Sequence, residues 1–124
     1  MKKAIPLLFA LCLIISGCGD PQTQLEQAVT IISKDVPQKL DAVTTMVKVE
    51  AGKMEIIYTY EINGVTDDEM KSSEVDLKKN VTAQLRKNKR VLGFYIKNKI
   101  PMTYIYNNTA GELLVTFSIK PWEL

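Results

Sequence analysis

No histidine occurs in this chain of 124 residues. That absence removes the usual proton acceptor near neutral pH and the commonest metal ligand. The two cysteines, Cys12 and Cys18, both fall in the first eighteen residues, so the body of the chain has no thiol for a nucleophile or a zinc cluster. Ser33, Ser72, Ser73 and Ser118 remain as hydroxyls that a lysine could activate, but none lies in a recognisable nucleophile signature. The densest carboxylates are Asp67, Asp68, Glu69, Glu74 and Asp76. A metal or glycosidase site needs such groups converging in a cleft, whereas these fit the start of a helix, where the positive end of the dipole favours them. There is no EF-hand spacing, phosphate-cradling loop or dinucleotide fingerprint. These residue types predict no catalytic, cofactor or metal site and point to binding.

Two features carry a binding expectation. Tyr58 and Tyr60, and Tyr104 and Tyr106, stand at i and i+2 in two strand-like stretches, so each pair shares a face. If those strands are neighbours the four rings form one aromatic band, and tyrosine is a residue of protein interfaces; core packing is the competing reading. Residues 78–99 hold eight Lys or Arg and no acid, among them Lys78, Lys79, Arg86, Lys87, Lys89 and Arg90. This run suits an acidic partner, a polyanion or an anionic headgroup surface; an ordinary solvated helix face is the competing reading.

The first residues, MKKAIPLLFALCLIISGC, set where such binding takes place. Met1-Lys2-Lys3 is a short positive start, Ala4 to Ile15 is an uncharged apolar run, and Ile15-Ser16-Gly17 puts small residues directly before Cys18. The layout is that of an export signal, too short to span a bilayer comfortably. With the cysteine at its end it resembles the lipobox of bacterial lipoproteins. The resemblance implies that Cys18 carries lipid, with cleavage before it, and that the acyl chains hold the protein on a membrane. Residues 1–17 are then a signal peptide, 18–22 a lipid-bearing tether and 23–124 a single domain. In two-membrane bacteria an Asp directly after the cysteine marks inner-membrane retention. Here Gly19 holds that position and Asp20 the next, which implies the outer membrane, facing the periplasm; in a single-membrane cell the domain faces outwards.

Loss of Lys2 and Lys3 leaves 14 basic and 14 acidic side chains, which argues against nucleic acid as a partner. About a hundred residues suffice for one core without disulfides. Thr23-Gln24-Leu25-Glu26 reads as a capping box opening a helix with Leu25, Ala28, Val29 and Ile32 on one face, stopped before Pro37. Val43 to Glu50 alternates, with Val43, Thr45, Val47 and Val49 on one face. Ala51-Gly52-Lys53 reads as a turn into the strand Met54 to Glu61. Thr66-Asp67-Asp68-Glu69 is a second capping box, opening one helix to about Asn98 or two joined near Asn88. The strands at 101–106 and 113–120 follow, the latter with Leu113, Val115, Phe117 and Ile119 on one side.

The expected fold is therefore α+β, a small α-β-β-α-β-β domain with an antiparallel sheet of about four strands and helices packed on one face. The expected function is a membrane-anchored lipoprotein acting as a non-catalytic protein-binding or assembly module in the cell envelope. An inhibitor or exclusion factor, and a carrier of a small apolar or anionic ligand, are the alternatives; the carrier requires a cavity between sheet and helices.

Overall fold

The computed structural model describes residues 19–124; the signal segment and the lipidation expected at Cys18 lie outside them. Helix α1 (Pro21–Ser33) leads into a two-residue strand β1 (Gln38–Lys39) and a hairpin of β2 (Thr44–Gly52) and β3 (Glu55–Ile62). A helical crossover follows, made of α2 (Asp67–Ser72), α3 (Glu74–Lys87), a 3-10 turn (Lys89–Leu92) and α4 (Gly93–Lys97). Strands β4 (Met102–Asn108) and β5 (Leu113–Ile119) and a final 3-10 turn (Pro121–Glu123) complete the domain.

The fold is mixed α+β, but its sheet has five strands, in the order β1-β2-β3-β4-β5. The added strand comes from Gln38 and Lys39, between the end of the first helix and the first strand expected; they pair with Met46 and Thr45. The sheet is not wholly antiparallel either, because β3 and β4 run parallel. The crossover carries the chain back along one face to the end where β3 began, and a strand entered from that end must run the same way.

Helix α1 starts earlier than the Thr23 capping box suggested. Asp20 is the N-cap, its Oδ1 accepting from the Thr23 amide at 2.8 Å, and Pro21 occupies the first turn. Proline there has no amide to leave unpaired, so Pro21 and Gln22 belong to the helix rather than to the tether. The second capping box forms as read: Thr66 accepts from the Glu69 amide, and Glu69 accepts from the Thr66 amide. The long helical stretch is broken at both Ser73 and Asn88.

Two bulges alter the expected faces. Between Met46 and Lys48 the β2 register shifts by one, so Met46 and Val49 both turn inward while Val47 is left 37% exposed. In β5, Tyr106 faces Val115 and Asn107 faces Leu113. Leu114 is the extra residue and is buried, and Leu113 is exposed. An inserted residue shifts the two-residue alternation by one step, which alternation counting along a single strand cannot anticipate.

The core lies between one face of the sheet and the helices. Register aligns its rows across the strands: Ala51, Ile56, Met102 and Ile119; Val49, Tyr58, Tyr104 and Phe117; Met46, Tyr60, Tyr106 and Val115. Leu25, Val29 and Ile32 from α1, Met70 from α2, Val81 and Leu85 from α3, then Leu92, Tyr95 and Ile100 are buried with them.

Candidate interaction surface

The four tyrosines do form the expected band. Tyr58 pairs with Tyr104 and Tyr60 with Tyr106 across the central parallel strands. The Tyr60 and Tyr106 rings stack at 4.8 Å between centroids, Tyr58 and Tyr104 lie tilted at 5.1 Å, and Phe117 extends the row with its ring 5.3 Å from Tyr104. The band is not a surface, however. Tyr58, Tyr60, Tyr104 and Tyr106 are 0–6% exposed, because strands that place all four on one face place them on the face that the helices cover. The rings are packed between the sheet and the helices. Burial raises the Tyr60 phenol well above its ordinary range, with Tyr106 and Tyr104 adding to the effect. Burial also raises Tyr106, with the charge of Asp41 adding to it.

Among the described residues, no helix packs on the opposite face of the sheet. It presents half-buried Ile57, Thr59, Glu61, Thr103, Ile105 and Asn107 on the two central strands, with Thr116 and Ser118 exposed beside them. Thr103 ties three strands together there: its hydroxyl donates to Glu55 Oε2 at 2.6 Å and lies 2.7 Å from the Ser118 hydroxyl. The seven-residue strand β5 forms one edge of the sheet, and its outer main-chain groups are of the kind to which another chain can add a strand.

The basic residues singled out in the sequence are all at the surface. Lys78, Lys79, Arg86 and Lys87 lie on exposed positions of α3, and Lys89 and Arg90 on the turn that follows. They do not meet the tyrosine band, so the two features form no common site. Among the described residues the one ion pair joins Lys48 to Glu50 at 3.8 Å.

The carboxylates of 67–76 cap and flank helix starts. Asn108 bridges Asp67 and Glu112 with its amide, at 3.2 Å and 2.9 Å, and its Oδ1 accepts from the amides of Ala110 and Glu112. This network pins the β4–β5 turn to the start of α2, which sequence reading missed. Ser33, Ser72 and Ser73 donate to main-chain carbonyls. Among the described residues no group of three or more His, Cys, Asp or Glu side chains is placed to hold a metal, and no helix is long and apolar enough to cross a membrane. An open cleft of about 430 Å³ lies between the start of α1 and α4, lined by Pro21, Gln24, Gly93, Phe94, Lys97 and Asn98.

No family model matches the sequence, and no curated protein matches it. The fold has solved counterparts. A candidate secreted protein from Pseudomonas aeruginosa superposes with a TM-score of 0.66 at 10% identity, covering 84% of this chain and 96% of the other. The type II secretion system pilotin AspS from Vibrio cholerae gives 0.57 at 12% identity, over 84% and 92% of the two chains. The pilotin EpsS of the Vibrio vulnificus type 2 secretion system gives 0.60 at 10% identity, over 82% and 89%. Almost the whole described domain thus shares its architecture with secreted and secretion-associated proteins, and at these identities the likeness is one of fold.

Proposed function

We propose that this protein is a lipid-anchored, non-catalytic accessory module that docks another cell-envelope protein, in the manner of a pilotin serving a secretion machine. The observation that carries the reading is the fold shared with two type II secretion pilotins over more than four-fifths of the chain. The lipobox-like segment ending at Cys18 agrees with it, because an anchored domain gains partners by local concentration at the membrane. The partner surface is the uncovered face of the sheet with the outer edge of β5. The tyrosines support that face from beneath. An outer membrane location, facing the periplasm, follows from the lipobox reading with Gly19 after the cysteine.

The test is genetic and biochemical together. Removal of the protein lowers export by one secretion machine of the native host, and the wild-type chain restores it. A photocrosslinker replacing Ile105 captures a subunit of that machine in intact envelopes, whereas one at Asp35 does not. Unchanged export by every such machine, with no crosslink at Ile105, rules the proposal out.

A further inference from the structure

Charge is segregated along the strands of the sheet. At the end where β3 finishes and α2 begins stand Asp41, Glu61, Asp67, Asp68, Glu69 and Glu112, with Lys39 and Lys71 beside them and Lys78 and Lys79 a turn into α3. The other end is basic. Helix α3 finishes there at Arg86 and Lys87, and the next turn adds Lys89 and Arg90. Lys97 closes α4, Lys53 lies in the β2–β3 turn, and Lys99 sits with its Nζ 5.3 Å from the centroid of the Trp122 ring. The anions at this end are Asp20, Glu55 and Glu123; Asp20 is occupied as a helix cap and Glu55 accepts from Thr103.

The point where the tether enters the domain is at this same end. Gln22, in the first turn of α1, accepts from the Met54 amide at 2.7 Å and donates to the Gly52 carbonyl at 3.0 Å, which locks the helix start to the β2–β3 turn. Gln24 donates to the Gly19 carbonyl at 2.7 Å. Pro21 and Gln24 face Gly93, Phe94 and Lys97 across one cleft. Lys89 Nζ reaches the Leu124 oxygen at 3.0 Å, tying the basic turn to the chain end beside it. Three residue steps separate Cys18 from Pro21, a span of at most about 11 Å. A lipid on Cys18 therefore leaves no room for the domain to swing its opposite end to the membrane.

We infer that the basic end, Arg86 to Arg90 with Lys97, rests on an anionic phospholipid bilayer, with Val91 and Phe94 at the headgroup boundary. This turns the acidic end away from the lipid and leaves the open sheet face standing upright beside the membrane. The inference rests on the reading of Cys18 as lipid-bearing. Val91 is 45% exposed and Phe94 half-buried, so both offer apolar surface among the cations. Each cationic side chain held near an anionic leaflet strengthens binding by about fivefold, and the effect is confined to roughly a Debye length of about 8 Å at physiological salt.

The test uses the mature lipidated protein in vesicles of phosphatidylcholine, with and without phosphatidylglycerol. A fluorophore is placed at Val91→Cys or, at the acidic end, at Ala110→Cys, and read with a lipid-borne quencher. Quenching at 91 should rise several-fold when phosphatidylglycerol is present. It should fall back in high salt and in the variant Arg86→Ala, Lys89→Ala, Arg90→Ala, while the label at 110 stays unquenched throughout. If the protein floats with both vesicles and quenching at 91 ignores phosphatidylglycerol, this inference fails and the lipid anchor stands. Quenching at 110 instead also overturns it. Flotation with neither vesicle overturns the anchor and this inference with it. If the triple variant keeps its lipid contact and loses capture of an acidic protein, the cluster is a protein site and the inference is wrong.

Discussion

Tyr60 and Tyr106 hold their phenol groups where ionisation is costly. Both are buried, and each ionises less readily in the folded chain than in the unfolded one, whose tyrosines titrate near 10.0. Their contribution is intact below that pH and is lost as pH climbs above it towards the raised folded values. Stability should therefore be flat, so far as these groups matter, up to about pH 10, and should fall beyond it. The double variant Tyr60→Phe, Tyr106→Phe should move the alkaline unfolding midpoint upward, as read by circular dichroism. Truncation has a different consequence. Tyr60→Ala removes a ring packed against Tyr104 and Tyr106 and should cost about 3–5 kcal/mol, by analogy with buried Phe and Trp. That is a large part of a small domain's stability. A denaturant melt would show it, and any loss of partner capture by that variant would report unfolding rather than a lost contact.

At the scale of elements, side chains that join one element to the next decide how the helices sit. Gln22 spans α1 and the β2–β3 turn with two main-chain hydrogen bonds. Its replacement by Ala should destabilise the domain by about 1–2 kcal/mol and speed amide exchange at Met54, measured by hydrogen exchange. Thr66→Ala removes the hydroxyl half of the α2 capping box and should cost about 1 kcal/mol, visible as a lower urea midpoint with an unchanged slope. Thr66-Asp67-Asp68-Glu69 was legible because a capping box is a local device whose partners lie three residues apart. The start of α1, capped by Asp20 with Pro21 behind it, lies before the box expected at Thr23. The bulges at Val47 and Leu114 had no local signal. Around them Met46 and Val49 on β2, and Leu114 and Val115 on β5, are all buried against distant parts of the chain.

At the scale of the whole molecule, the two ends differ in charge, and only one lies near the chain entry where a lipid on Cys18 would hold the protein. Cys18→Ser should release the protein from the membrane fraction and, if the proposed function holds, abolish complementation of export while leaving the fold of residues 19–124 unaltered. Fractionation beside a circular dichroism spectrum checks both halves. A protein held this way has its orientation set by tether length and charge together.

The sequence by itself determined the element types, the α+β class, the lipoprotein-like beginning, and the pairing of tyrosines on a shared face. All of these depend on residues close together in the chain. Only the tertiary structure decided the parallel centre of the sheet, the fifth strand, and which face the helices cover. Those outcomes depend on contacts between Tyr58 and Tyr104, or Gln22 and Met54, whose partners stand tens of residues apart. The tyrosines show the difference: alternation put each pair on one face and left core packing and docking both open, and α1 with the crossover helices folding over that face decided for the core.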